Sequence, residues 1–477
     1  MTTASRIERE IAAEELAWRE AWKPAPDERS YAVAKVEGEI PRELHGTLYR
    51  NGPSQAVLPT AGYAALHLFD GDALVHAFRF DDGSLHYTGR YVRDAGFVHR
   101  AAHGAASTGF CNFPAAEPDP DAPLPYPPNT NVVWHAGRLM AMVEAAYPIA
   151  LDPRTLATGE TIRFADPMLG ISTSAHPKVD GRTGQMWVHG YQPIEPYAAL
   201  YCVEPDGRCS LAEPLDLPYP VMMHDLAITE HHVVVLLAPV TFDLSRGACL
   251  RDWFRWEPEK GLRFGVRRRE PGAALQWFDA PSPGFVFHPG NAFEHDGKIV
   301  MDACTYPDGG ALLEQLAVYR SGQRIPGAGA HPFLYELDLA RGTCSERQLD
   351  DRVAEFPRLD DRRVGHRNRF GYAVIGSDGL VGPGTSTLVK YDRTGGPNAL
   401  HDFGALCYPG EPVFVPRAPD AEEDDGFVLS VVYDGGSGRS RLVVLDARRF
   451  DGPPLATAHL EHRVPLGFHG NFAPGVV

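Results

Sequence analysis

A short unit of strand, Asp-containing turn and second strand recurs along the chain after Tyr31. It appears at residues 77–83, 149–153, 178–181, 202–207, 335–338, 389–392 and 444–446. Weak self-similarity at this spacing, with hardly any helical periodicity, is typical of a β-propeller. The sequence therefore predicts an all-β fold of blades around a central axis. A pair of β-sandwiches or barrels is the alternative that this pattern also permits.

The first residues follow a different pattern. Residues 7–22 (IEREIAAEELAWREAW) indicate one charged helix, which Lys23 and Pro24 end. We expect this helix to pack on the body of the protein; docking to a membrane is the alternative. The predicted organisation is an N-terminal helix and extension over residues 1–30, followed by a single β-propeller catalytic domain over residues 31–477.

Charge and length narrow the class of protein. The formal net charge of the 477 residues is −17, which argues against a nucleic-acid partner. No stretch reaches the apolar length of a membrane span, and the charged start is unlike a signal peptide, so the cytoplasm is the expected location. The seven cysteines are scattered and form no CxxC pair, which indicates neither disulfides nor a thiolate zinc site.

Four histidines stand in similar apolar settings with Gly or Pro close by, at strand ends or tight turns. They are His176, His224, His288 and His469. Surroundings that exclude water favour the neutral, metal-binding form of the imidazole. Because these positions span most of the chain, they require a fold that brings distant segments to one point. The axis of a propeller does this.

The expected ligand set limits the choice of metal. Four neutral imidazoles without a ligating carboxylate do not neutralise the +2 charge of a divalent ion. If the ion prefers octahedral coordination, two of its positions remain open. Iron suits such a site, whereas zinc more often takes a smaller tetrahedral set. Metal-bound histidines usually donate their other N–H to a carboxylate. Glu144, Glu355 and Glu411 lie in apolar strand settings and are the candidates, although each alone would also suit an ordinary structural role.

Several motifs occur in a fixed order along the chain. They are GTLYRNGP at 46–53, FDGD at 69–72, NTN at 129–131, AHPK at 175–178, MHD at 223–225, His288 with NAFE at 291–294, EFP at 355–357, EPVFVPR at 411–417 and HG at 469–470. In this order they resemble the carotenoid cleavage oxygenase family, which includes apocarotenoid and stilbene oxygenases. The resemblance covers nearly the whole chain.

The resemblance implies a seven-bladed β-propeller with a helical and loop cap over an axial non-haem Fe(II). It places the iron ligands at His176, His224, His288 and His469, and it assigns Glu144, Glu355 and Glu411 to hold the last three of them. It further implies that Thr130 crowds one open iron position. The implied reaction is cleavage of a carbon–carbon double bond by O₂ into two carbonyl products, with no organic cofactor. Phe69 and Phe287 match positions that line the apolar substrate tunnel, although both also suit an ordinary core.

Two departures from the family pattern bear on the substrate. The stilbene and phenylpropene branch has a phenol-binding lysine where this chain has Val143, and many carotenoid cleavers have tryptophan there. The same branch has a tyrosine in a loop that corresponds to residues 109–113, which contain no phenolic hydroxyl. A carotenoid or apocarotenoid is therefore favoured. Cleavage of a stilbene or phenylpropene and a non-catalytic propeller that binds a partner are the alternatives.

A water-insoluble alkene has a consequence for the protein surface. We expect apolar side chains around the tunnel mouth, which would give the protein peripheral contact with a membrane without crossing it.

Overall fold

The fold is a ring of seven antiparallel sheets. The computed structural model describes residues 3–56, 67–103, 126–144, 146–164, 169–247, 250–376 and 384–477, with side chains from residue 12 onward. Within these residues, seven sheets of four to six strands form the blades of a β-propeller. The predicted all-β, seven-bladed architecture is confirmed.

Each blade is given from the axis outward. Blade 1 contains Gly470–Pro474, Gly46–Ser54, Asp72–Asp81, Ser84–Tyr91 and Arg29–Ala32. Blade 2 contains Asn131–His135, Arg138–Met142, Ile149–Leu151 and Thr158–Thr161. Blade 3 contains Lys178–Val179, Met186–Tyr191, Ala198–Val203 and Cys209–Leu215. Blade 4 contains Leu226–Ile228, His232–Leu237, Arg263–Arg268 and Gln276–Asp279.

The remaining blades follow the same order. Blade 5 contains Phe285–His295, Lys298–Tyr306, His331–Asp338 and Thr343–Gln348. Blade 6 contains Ala354–Arg358, Phe370–Ile375, Thr387–Asp392 and Ala399–Asp402. Blade 7 contains Cys407–Pro409 with Val413–Pro416, then Gly426–Asp434, Arg439–Asp446, Ala456–His459 and Lys35–Gly38. A separate ribbon pairs Val240–Phe242 with Phe254–Trp256.

The two faces of each blade pack against neighbouring blades, which explains the composition of the inner strands. His232–Leu237 (HVVVLL) is buried along its whole length, and a strand covered on both faces needs no polar alternation. The innermost strands of most adjacent blades contact one another around the axis. Side chains at the axial ends of these strands therefore converge.

Segments from both ends of the chain close the ring. Gly470–Pro474 pairs with Gly46–Ser54 as the innermost strand of blade 1. Arg29–Ala32 and Lys35–Gly38 form the outer strands of blades 1 and 7. The strand Arg29–Ala32 crosses the predicted division between residues 30 and 31, so the two-part organisation stays a prediction.

The N-terminal helix comprises Thr3–Ala21, so it begins earlier than predicted and ends one residue before Trp22. It packs on the propeller through aromatic contacts. Trp18 donates its indole N–H to the carbonyl of Tyr319 at 2.9 Å, and its ring lies 5.3 Å from that of Tyr408. The Trp22 ring lies 6.3 Å from that of Phe468, one residue before His469.

Short helices interrupt the strand pattern; the family resemblance implies helical segments in a cap, but the sequence pattern does not locate any of these helices. The further α-helices are Ala95–His103, Leu250–Trp253 and Gly309–Val318, and the 3₁₀ turns are Leu244–Arg246, Pro258–Lys260, Tyr319–Ser321, Asp361–Arg363 and Ala447–Arg449. Gly309–Val318 begins with two glycines, which resemble a turn in sequence. Its start is stabilised by Asp308, whose carboxylate accepts from the N–H groups of Gly310 and Ala311. None of the described helices is both long and apolar enough to cross a membrane.

Candidate metal centre

The four predicted histidines meet at the axis. One ring nitrogen from each of His176, His224, His288 and His469 lies within 4.8 Å of the others. All four side chains are buried or nearly so. Ligands on opposite sides of a metal ion at about 2.1 Å would lie about 4 Å apart, so this spacing suits one ion.

Each blade contributes at least one predicted site residue at or beside its innermost strand. In order from blade 1 to blade 7 these are His469, Thr130, His176, His224, His288, Glu355 and Glu411. Glu144 comes from the end of the second strand of blade 2. Sequence-distant residues meet because the innermost strands all begin near the same end of the axis.

His288 differs from the expected setting. It was expected at a strand end or tight turn, but it lies inside the strand Phe285–His295. The strand register shifts on both sides of Pro289, which has no N–H to donate to the ladder. This irregularity turns the imidazole toward the axis without ending the strand.

The three glutamates contact the Nδ1 atoms of three histidines. His288 donates to Glu355 Oε2 at 2.6 Å, and His469 donates to Glu411 Oε1 at 2.9 Å. Nδ1 of His224 faces Oε1 of Glu144. These contacts direct the Nε2 atoms of the same rings toward the common centre.

Charge and hydrogen bonds keep the glutamates ionised. Burial alone would raise the pKa of Glu411, but Arg358 and His469 outweigh it and lower that pKa to about 2. Arg358 lies 3.2 Å from Glu411 Oε2, which also accepts from the N–H of Gly470 at 2.8 Å. Burial is likewise outweighed at Glu144 by His224 and at Glu355 by His288, and both pKa values are lowered.

His176 has a different neighbour. Its Nδ1 lies 3.9 Å from Asp225 Oδ2, too far for a hydrogen bond, and that oxygen accepts from Lys178 at 2.7 Å. Burial and the three nearby imidazoles lower the pKa of His176 well below its usual range, so the ring is neutral. Its Nε2 and that of His288 are buried without a hydrogen-bond partner among the described residues. A buried nitrogen without a partner is energetically costly. A bound metal ion would remove this cost, so these two nitrogens fit metal ligands.

Thr130 lies beside this centre, buried at 7% exposure. Its carbonyl accepts from the backbone N–H of His469 at 3.2 Å, and its hydroxyl donates to Asn129 at 3.3 Å. Thr130 thus lies at the axial end of blade 2, beside His469 of blade 1. The crowding of an open metal position stays a prediction.

Aromatic rings cover one side of the histidines. The Phe287 ring lies 4.6 Å from the ring of His224 and 5.9 Å from that of His288. Phe69 lies 6.5 Å from Phe287 and joins the same apolar cluster. Val143 is half-buried and follows the strand Arg138–Met142, directly before Glu144. Residues 109–113, which correspond to the tyrosine-containing loop of the stilbene branch, lie outside the described residues.

A cavity with both polar and apolar walls also reaches the histidines. It has a volume of about 360 Å³ and is lined by His176, His288 and His469. Asn131, Asn291, Asn471 and Lys178 also line it, whereas Phe69, Val143 and Phe287 do not. Among the described residues, the centre therefore lies between an aromatic cover and a cavity of mixed polar and apolar lining.

Sequence reasoning missed Phe356, which stacks on His288 at 5.7 Å and lies 5.4 Å from His469. Its φ of +55° is left-handed, a strained conformation for a phenylalanine, and the strand register shifts between Glu355 and Arg358. The shift lets Glu355 reach His288 while the next ring packs on the same imidazole. The EFP motif marked the position, but a bulge has no clear sequence signal.

Two tyrosines were also missed. Tyr191 donates to Glu144 Oε2 at 2.5 Å, and Tyr306 donates to Glu355 Oε1 at 3.0 Å. Burial, and then the charge of the adjacent glutamate, raises the pKa of each phenol well above its usual range. Both phenols therefore remain protonated donors.

A propeller with four axial histidines, three of which face buried or half-buried glutamates, defines a class of metalloprotein. The chain matches the model of the RPE65 family, described as retinal pigment epithelial membrane protein, over residues 22–474. It belongs to this family of carotenoid cleavage oxygenases, and the predicted recognition is confirmed.

Curated relatives of similar identity have different named activities. The chain is 30% identical to carotenoid 9,10(9',10')-cleavage dioxygenase 1 of Pisum sativum, over 92% of this chain and 86% of the relative. It is 30% identical to apocarotenoid-15,15'-oxygenase of Synechocystis, over 96% of each chain. It is 31% identical to isoeugenol monooxygenase of Pseudomonas nitroreducens, over 92% of this chain and 94% of the relative. The prediction of an oxygenase that is an oxidoreductase is confirmed.

A solved relative contains a metal. The fold matches cobalt-substituted Synechocystis apocarotenoid oxygenase with a TM-score of 0.85 and 28% identity, over 96% of this chain and 99% of that chain. The family is thus one of metalloenzymes, and the four-histidine cluster of this chain can hold a metal ion. 

Proposed function

We propose that this protein is an Fe(II)-dependent dioxygenase that cleaves a carbon–carbon double bond of a carotenoid or apocarotenoid into two carbonyl products. The observation that carries the proposal is the convergence of four imidazoles, of which His288 and His469 donate to buried glutamates and His224 faces Glu144. When bound, the iron supplies activation of O₂ at positions that the protein leaves open.

The protein residues prepare the centre for this chemistry. Glu144, Glu355 and Glu411 fix the tautomer and orientation of three imidazoles, so that each presents Nε2 to the metal. His176 remains neutral through burial. The proposed role of Thr130 is to limit access to one open position, for which its buried place beside His469 gives support.

The aromatic side of the centre supports an apolar alkene. Phe69 and Phe287 would contact the polyene and exclude water, and Val143 would add a third apolar surface. These roles in substrate binding are part of the proposal.

The test is incubation of the iron-loaded protein with an apocarotenoid and, separately, with a 4-hydroxystilbene. Mass spectrometry would identify the aldehydes, and ¹⁸O₂ would trace the source of their oxygen atoms. We expect about one iron per chain and faster cleavage of the apocarotenoid. Full activity after removal of all iron, or cleavage by a zinc-only protein, would overturn the assignment of Fe(II).

The second candidate is cleavage of a stilbene or phenylpropene double bond. It is favoured by the 31% identity to isoeugenol monooxygenase, which is as high as the 30% identity to the carotenoid enzyme of Pisum sativum. The same incubation separates the two, since each substrate gives its own aldehydes. A non-catalytic binding module is disfavoured, because such a module has no use for four histidines and three glutamates, all buried or nearly so, arranged in this way.

We further propose peripheral contact with a membrane through apolar residues near the aromatic side. Leu244 is 47% exposed and lies two residues after Phe242, whose ring packs 6.2 Å from Tyr191. We expect Leu244→Glu to lower flotation with neutral liposomes. Leu400, 42% exposed on an outer strand of blade 6, is the matched control, and Leu400→Glu should leave flotation unchanged. Equal flotation of all three proteins would contradict contact at Leu244.

A further inference from the structure

Each glutamate of the centre uses both carboxylate oxygens. One oxygen faces a histidine, and the second has another donor. For Glu411 these donors are charged or backbone groups, Arg358 and the N–H of Gly470. For Glu144 and Glu355 the second oxygen accepts instead from the phenols of Tyr191 and Tyr306.

At Glu144 and Glu355, a tyrosine hydroxyl takes the place that a cation, Arg358, has at Glu411. Among the described residues, no lysine or arginine forms an ion pair with Glu144 or Glu355. A buried carboxylate oxygen without any donor would be costly. A phenol satisfies the oxygen without adding a positive charge that would repel a divalent ion beside it.

The rings of the same tyrosines continue the apolar side of the centre. Tyr306 is 4% exposed, and its ring lies 5.6 Å from that of Phe287. Tyr191 packs 6.2 Å from Phe242. Each side chain therefore presents its hydroxyl to a carboxylate and its ring to aromatic neighbours.

We propose that Tyr191 and Tyr306 are positioning residues of the metal centre. Through their hydrogen bonds they hold Glu144 and Glu355 against His224 and His288, and their rings shield these carboxylates from the apolar substrate. The inference rests on the proposed metal centre, and it adds two residues that act on the metal only through glutamates.

The test uses Tyr191→Phe and Tyr306→Phe, which remove only the hydroxyl. Metal-free protein is titrated with Co²⁺ and followed by its visible absorption. We expect the dissociation constant to rise about tenfold in each variant, the lower end of what a lost partner of a metal-bound histidine costs. The intensities of the visible bands should change as well, because the imidazoles are held less firmly.

Tyr201→Phe is the matched control. Tyr201 is fully buried in blade 3, and its hydroxyl donates to the carbonyl of Ile171 at 2.8 Å, so the variant loses a comparable bond away from the histidines. Its Co²⁺ affinity should equal that of the wild type. Equal affinities in all four proteins, or an equal loss in the control, would overturn the inference. Failure of the wild type to bind Co²⁺ would instead overturn the proposed metal centre, and the inference with it.

A double-variant cycle separates positioning from general destabilisation. If Tyr306 acts through Glu355, then adding Tyr306→Phe to Glu355→Ala, which leaves the tyrosine no carboxylate to bind, should change the Co²⁺ dissociation constant less than twofold. The same tenfold loss in both backgrounds would show that the tyrosine acts independently of the glutamate and would refute the role.

Discussion

Replacement of Glu355 by glutamine tests how the carboxylates hold the centre. Glu355 is 5% exposed and accepts three hydrogen bonds. His288 Nδ1 and the N–H of Phe356 donate to Oε2, both at 2.6 Å, and Tyr306 donates to Oε1 at 3.0 Å. Glutamine has nearly the same shape, so its carbonyl oxygen can keep the first two bonds while its NH₂ group faces the tyrosine hydroxyl.

The expected loss comes from the missing charge. A hydrogen bond to a charged group contributes about 1.5–3 kcal/mol, against about 1 kcal/mol between neutral groups. Because His288 is held by such a bond, we expect metal affinity to fall about 10- to 100-fold, which equals about 1.4–2.8 kcal/mol. The fold should persist, since every hydrogen-bonding position remains occupied.

The measurement is a Co²⁺ titration of metal-free protein, together with iron content after purification. Glu294→Gln is the matched control, because Glu294 also accepts from a histidine, His232 at 2.9 Å, and from Thr229 at 2.6 Å, but lies outside the centre. Its metal affinity should be that of the wild type. An unchanged affinity in Glu355→Gln, or an equal loss in Glu294→Gln, would refute the reasoning.

Four further changes give separate outcomes. His224→Ala should abolish iron retention and turnover, because the ion loses one of four ligands; metal analysis and product assays check this. Val143→Lys should leave iron content unchanged but lower turnover of an apolar polyene by placing a charge beside it, as kinetics on a polyene and on a 4-hydroxystilbene would show. Asp308→Ala should lower the free energy of unfolding by about 1 kcal/mol in denaturant titrations, since the helix Gly309–Val318 loses its cap. Burial raises the pKa of Asp180, but hydrogen bonds from Arg269 and from the backbone outweigh it and lower that pKa to about 2. The stability from this carboxylate is thus present above about pH 4 and lost as the pH falls toward 2, so Asp180→Asn should cost about 1 kcal/mol at pH 7 and almost nothing near pH 2.

The ring of blades and the four histidines could be predicted because both correspond to local patterns in the sequence. Asp-containing turns recur at blade spacing, and each histidine stands in an apolar setting near Gly or Pro. The three glutamates could be predicted because a carboxylate among apolar residues needs a partner.

Other residues of the centre have no such local sequence pattern. Tyr191 and Tyr306 lie in second strands whose sequences, MWVHGY and KIVMDACTY, resemble ordinary core strands. Their hydroxyls contact the glutamates only because the fold brings residues of different blades together at the axis. Phe356 takes a left-handed conformation because the surrounding strand shifts its register, and propensity alone would never place a phenylalanine there.

Overall similarity does not separate the two substrate classes, since the chain is 30–31% identical to enzymes named for carotenoid and for isoeugenol. The difference must therefore come from individual side chains near the metal. Phe69, Val143 and Phe287 offer no hydrogen bond to a phenol, and an unpaired hydroxyl in a dry site costs about 1–3 kcal/mol. That cost alone lowers the binding of a phenolic substrate about 5- to 150-fold relative to one that carries no hydroxyl there. A hydrocarbon chain incurs no such cost on these surfaces, and we therefore expect a polyene to be cleaved faster than a phenolic alkene.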